Sequence, residues 1–186
     1  MDRRRAIKNL ALVLGGVISA TTVGILIKDY VIPDNENSKV SFSPTDEALL
    51  AEFADIIIPT TKAAPGAKAA GLGSFIPMMV NECYPSDLQQ IFSTGMKEME
   101  EKCQKEYSKN FISLSAEERV KIMEHLRTES LVDTKKPSFF IIARDLTILG
   151  YFSSEIGCTQ AREYIAVPGR YDGSADYKPG QKAWAT

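Results

Sequence analysis

The chain contains one histidine, one tryptophan and three cysteines, and its formal net charge is only −2. So small a charge excludes a nucleic-acid binder of the usual kind, because phosphate neutralisation needs a basic surface. Cys83, Cys103 and Cys158 stand too far apart for C-x-x-C, haem-attachment or zinc-knuckle spacing, and they are too few for a disulfide scaffold. Two readings of them remain: one bridged pair with a spare thiol after export, or three small buried hydrophobes. The lone His125 excludes an H-E-x-x-H site and a two-histidine metal centre. With Glu124 and Glu129 it reads instead as a charged helix surface at i, i+4 spacing. The stretch from Pro65 to Gly73 lacks the G-x-x-x-x-G-K-[ST] pattern, and no strand precedes it, so it reads as a connector whose glycines let helices approach closely. No nucleophile-elbow motif is present.

Basic residues cluster only at the start, in Arg3-Arg4-Arg5-Ala6-Ile7-Lys8. The uncharged stretch Leu10 to Ile27 follows, closed by Lys28 and Asp29. This is the head-and-core layout of an export signal. Arg3 and Arg4, then Ile7 and Lys8, resemble a twin-arginine address, which a receptor reads and which carries folded cargo. The same stretch sits at the short end of what spans a bilayer, so residues 1–29 are expected to be either a cleaved signal or a retained membrane anchor. Either way the rest is expected in the periplasm. Residues 30–42 are polar, with Pro33 and two asparagines, and read as a tether.

Residues 43–186 are expected to form an all-α fold, a small helical bundle with an irregular C-terminal extension. Ser43 and Pro44 open a first helix with a stripe of Leu49, Leu50, Phe53, Ile56 and Ile57, which Pro59 stops. A second helix is expected from about Gly73 to Cys83, with Pro77 either interrupting it or marking its true start. Ser86 is expected to cap a third helix bearing Leu88, Ile91, Phe92, Met96 and Met99, whose stripe of Glu98, Glu101, Lys102 and Lys105 faces solvent. Ser115 and Glu118 form a capping box ahead of a helix with Val120, Ile122, Met123 and Leu126. Pro137 opens the most apolar helix, from Phe139 to Phe152, which must be central or part of a partner interface. Gly157 is expected to end it. Arg144, Asp145 and Glu155 interrupt this apolar run, and charges there are either paired within the chain or used in interface recognition. The tail from Tyr164 shows no period, and its aromatics are expected to pin it to the bundle or to a partner.

Several segments in order resemble the gluconate 2-dehydrogenase subunit 3 family. They are Ala54 to Thr60 with Pro65-Gly66-Ala67, Pro137 to Phe140, Gly150 to Gly157, Val167 to Gly173, and Pro179 to Ala185. The resemblance implies a non-catalytic small subunit with no cofactor of its own. It implies a large flavoprotein partner of the glucose–methanol–choline type carrying FAD, and a c-type cytochrome with haem as a third subunit. It supplies no catalytic residues. On this reading Arg144, Tyr151, Phe152, Glu155, Tyr171 and Trp184 are the candidate partner interface.

Overall fold

The computed structural model describes residues 40–132, 137–167, 169, 173–174 and 176–185. By its internal contacts the chain divides between Ser38 and Lys39, and all described residues belong to the second unit. The export signal with Arg3, Arg4, Ile7 and Lys8, and Tyr171, lie outside the described residues.

Five helices make the bundle: α1 (Pro44–Ile57), α2 (Leu72–Cys83), α3 (Ser86–Tyr107), α4 (Ala116–Ser130) and α5 (Phe139–Ser153). No helix among the described residues is long and apolar enough to cross a membrane. Local chemistry explains two of the starts. The Ser43 hydroxyl accepts from Asp46 N–H while the Asp46 carboxylate accepts from Ser43 N–H, and Ser115 and Glu118 repeat that box at α4. Each such cap is worth about 1 kcal/mol.

Three boundaries differ from expectation. Pro77 lies inside α2, one turn after its start, and is buried. The amide it lacks would have paired with Gly73, and α2 holds there because Gly73 lets it pack directly on α1. A Cβ on Gly73 would stand 2.4 Å from the Glu47 carbonyl oxygen. Ser86 is the first residue of α3 and caps nothing; Gln89 secures that corner instead, donating to the carbonyls of Asn81 and Tyr84 at 3.2 and 2.8 Å. Ser138, one residue after Pro137, is the cap of α5.

The most apolar helix is central: α5 packs against all four others. Phe139 and Phe140 meet Phe53 of α1 at ring-centroid distances of 5.4 and 6.1 Å, and Phe139 meets Phe92 of α3 at 5.0 Å. Burying each ring stabilises the fold by roughly 1.5–3 kcal/mol, with about 0.5–1.5 more per ring pair. Leu50, Ile76, Val80, Met99, Ile122 and Leu146 are among the other residues of the core. Val120 of α4 faces solvent, while Ile122 and Met123 of the same helix are buried. A polar clasp closes the other side. Glu52 of α1 pairs with Arg119 of α4 and with Lys68 of the α1–α2 connector. Arg119 also donates to the carbonyls of Phe111 and Ile112 and lies 5.9 Å over the Phe111 ring.

The three cysteines are free. Only Cys103 is buried, and burial, helped by nearby Glu100 and Glu106, pushes its thiol up to about 11. Past α5 the chain makes a π-helical turn (Gly157–Ala161). It then forms a short strand β1 (Glu163–Tyr164) that pairs in parallel with β2 (Trp184–Ala185).

Candidate partner interface on the central helix

A helix that touches every neighbour is expected to be wholly covered, and α5 is not. Ile148, Leu149 and Phe152 are 43%, 51% and 39% exposed. Their spacing of one and three residues puts them on one outward stripe. One turn earlier the stripe carries Arg144 and Asp145, which pair with each other, Nη2 to Oδ1 at 2.7 Å and Nε to Oδ1 at 2.9 Å. The Arg144 charge is therefore satisfied by its neighbour, and an exposed pair of this kind contributes under about 1 kcal/mol. Glu155 is also exposed, and its backbone carbonyl accepts from Thr159 Oγ1 at 2.7 Å.

Tyr151 corrects the expected interface. It is 3% exposed, and its hydroxyl donates to the Pro65 carbonyl at 2.6 Å. Its role is to tie α5 to the α1–α2 connector, where Gly66 N–H donates to Thr60 Oγ1 and Ala67 N–H to the Ile58 carbonyl. Burial raises its phenol pKa above the ordinary value. Alternation of aromatic and apolar residues along α5 gave no means of telling this inward ring from the outward Phe152 beside it.

The Phe152 carbonyl is the anchor of the C-terminal segment. It accepts from Cys158 Sγ at 3.2 Å and from Arg162 Nη2, and the Arg162 guanidinium lies 5.2 Å over the Phe152 ring. The turn that brings Cys158 and Arg162 there needs Gly157 at its first position, because a Cβ would fall 1.8 Å from the Tyr151 carbonyl oxygen. Gly157 thus starts a turn rather than ending α5, which ends at Ser153 with Ser154 as its cap. The Ser154 hydroxyl donates to the Tyr151 carbonyl and accepts from Gly157 N–H. Trp184, in β2, is 46% exposed; the buried residue of that strand is Ala185. Tyr164 and Tyr177 are exposed as well, so backbone pairing holds the tail and the aromatics stay available.

A cavity of about 390 Å³ between α3, α4 and α5 is lined by Met99, Lys102, Leu126, Glu129 and Phe139 among others. Lys102 there gives both Glu129 oxygens a hydrogen bond at 2.9 Å, and His125 stands 3.1 Å from the same carboxylate. The Lys102 hydrogen bond holds the Glu129 carboxyl below the usual range, against a smaller opposing effect of burial, so it is poorly suited to proton donation. Among the described residues no three His, Cys, Asp or Glu side chains converge as a metal site.

The family model for gluconate 2-dehydrogenase subunit 3 matches residues 44–169. The chain belongs to this family. The match opens on the first residue of α1 and takes in all five helices, the π-helical turn and β1, while β2 lies beyond it. No curated protein and no solved structure matches the chain. Membership makes the gluconate 2-dehydrogenase subunit 3 chain a small accessory subunit of a multi-subunit dehydrogenase complex. Its functional surface is therefore sought where it meets other subunits. Arg162 and Cys158, which hold the Phe152 carbonyl, escaped the sequence reading because their shared partner is a main-chain carbonyl. Their i, i+4 spacing was the available signal.

Proposed function

We propose that this subunit is the non-catalytic small component of a membrane-associated, flavin-dependent dehydrogenase of the gluconate 2-dehydrogenase type, acting on a sugar or sugar acid. It supports export and assembly of the large flavoprotein, which carries FAD and passes electrons to a c-type cytochrome subunit. Arg3, Arg4, Ile7 and Lys8 serve as a twin-arginine-type address to the periplasm, and the apolar stretch after them attaches the complex to the membrane. The observation that carries this reading is the outward stripe of Ile148, Leu149 and Phe152 on the helix that also forms the core. An apolar stripe on the central helix, flanked by an anchored aromatic tail, suits a stable protein interface.

The test is gentle extraction of the tagged full-length chain from its native membrane, with an absorption spectrum and mass spectrometry of the eluate. A large flavoprotein with flavin bands is expected to co-elute. The double variant Ile148→Asp/Leu149→Asp should lose it while its melting temperature stays close to wild type, because both positions face solvent. A colourless, solitary wild-type chain would overturn the reading in favour of a chaperone that departs after export.

A further inference from the structure

The last residues of the polar stretch before α1 are not free of the bundle. Val40 and Phe42 are half-buried with exposed Ser41 between them, the alternation of an extended chain lying on a surface. The Phe42 ring sits edge-on to Phe92 of α3 at 5.9 Å, and Phe92 in turn meets Phe139 of α5. The Val40 carbonyl accepts from Asn81 Nδ2 at 3.0 Å, across 41 positions of chain. Asn81 is itself braced by Gln89, whose amide donates to the Asn81 and Tyr84 carbonyls. A ring contact and a side-chain hydrogen bond therefore hold residues 40–42 against the corner between α2 and α3.

This hold is weak beside the rest of the fold, and it is separate from it. Asn81 gives a donor to Val40, but its Oδ1 is buried and finds no donor among the described residues. An acceptor buried unpaired loses its hydration, and fixing three residues loses backbone entropy. Both effects offset part of what the ring and the hydrogen bond contribute. The start of α1 does not depend on the contact either. Ser43 and Asp46 cap that helix reciprocally, Ser43 N–H and hydroxyl each donating to Asp46 Oδ2 at 2.8 Å. Segments held by few contacts at the margin of a domain open without global unfolding.

We propose that Val40–Phe42 is a strap that opens and closes as a unit while the bundle stays folded. Closed, it makes the chain enter the domain at the α2–α3 corner, through Asn81. Open, the entry point moves to the start of α1, and the chain ahead of Ser43 gains three free residues, about 10 Å of reach. The strap thus sets both the origin and the length of the link to the preceding residues.

The test is proteolysis of the native full-length chain by chymotrypsin, which cuts after Phe42 only when that ring has left Phe92. The fragment beginning at Ser43 is followed by mass spectrometry, and its rate of appearance tracks the open population. Asn81→Asp keeps the side-chain shape and replaces the donor with a carboxylate that repels the Val40 carbonyl. Ser86→Asp puts the same charge on an exposed position of the same corner, away from that bond. Asn81→Asp should release the Ser43 fragment about tenfold faster than wild type, the usual effect of one lost hydrogen bond. Ser86→Asp should stay close to wild type, and cuts after Tyr151 or Phe152 in α5 should not accelerate in either variant. Release at the wild-type rate in Asn81→Asp, or an equal acceleration in Ser86→Asp, overturns the proposal. So does a matching rise in cuts within α5, which would mean that residues 40–42 leave only when the bundle unfolds.

Discussion

Gly157 sits where the core helix hands over to the C-terminal tail, and replacing it with alanine tests that hand-over. The added Cβ would lie 1.8 Å from the Tyr151 carbonyl oxygen, 2.7 Å from its carbonyl carbon and 3.1 Å from the Phe152 Cα. All three obstacles are backbone, so no side-chain rotation relieves them. The two segments must part by roughly 1 Å, and forced shifts of this kind in a packed interior cost about 1–3 kcal/mol. For a domain of this size that lowers the melting temperature by about 3–10 °C. Gly150→Ala is the internal comparison. Its Cβ would meet the Phe75 ring at 2.5 Å and a Leu72 methyl at 2.8 Å, both side chains that can turn aside. Gly157→Ala should therefore be the more destabilising of the two in a thermal melt followed by circular dichroism. It should also loosen the bonds of Cys158 and Arg162 to the Phe152 carbonyl, seen as faster deuterium uptake across residues 158–165. A Gly157→Ala protein melting within 1 °C of wild type, with unchanged uptake, would refute the account of this turn.

Two further outcomes follow from the bundle. Tyr151→Phe leaves the Pro65 carbonyl without its buried donor and should lower stability by about 1 kcal/mol in urea titration; no change would mean that water replaces the hydroxyl. The Glu52 carboxyl is held below its ordinary range, first by the Lys68 hydrogen bond and also by Arg119, against partial burial. Its folded pKa lies below the unfolded value, so its contribution is complete above about pH 4.5 and is lost as pH falls through the folded pKa. Wild type should thus lose stability more steeply than Glu52→Gln below pH 4.5 in pH-dependent melts, and parallel curves would rule out the clasp as its cause.

Features that depend on a few neighbouring residues were legible in the sequence. The Ser43 and Ser115 caps, the stop before Pro59 and the His125–Glu129 contact all rest on spacings of four residues or fewer, whereas Lys102, expected on the solvated stripe of α3, is largely covered by its pairing with Glu129. The central position of α5 was legible too, from apolarity on nearly all sides. What could not be read was direction. Tyr151 and Phe152 are adjacent aromatics on one apolar helix, and only the three-dimensional placement of Pro65 decides that one points inward. Pro77 looked like a boundary because the close approach of α1 and α2 at Gly73 is a tertiary fact. The strand pairing of Trp184 with Glu163 joins residues some twenty positions apart through two residues on each side, too few to produce an alternating pattern.

The helix that every other helix leans on is also the last to be made. Until Phe139 to Ser153 have left the ribosome, Phe53 and Phe92 lack their Phe139 contacts, and Pro65 waits for Tyr151, 86 positions downstream. Synthesis runs at about 5–20 residues per second, so the first four helices spend seconds with their apolar faces open before the keystone arrives. The bundle therefore closes only after residue 153 has been made, well after its first four helices.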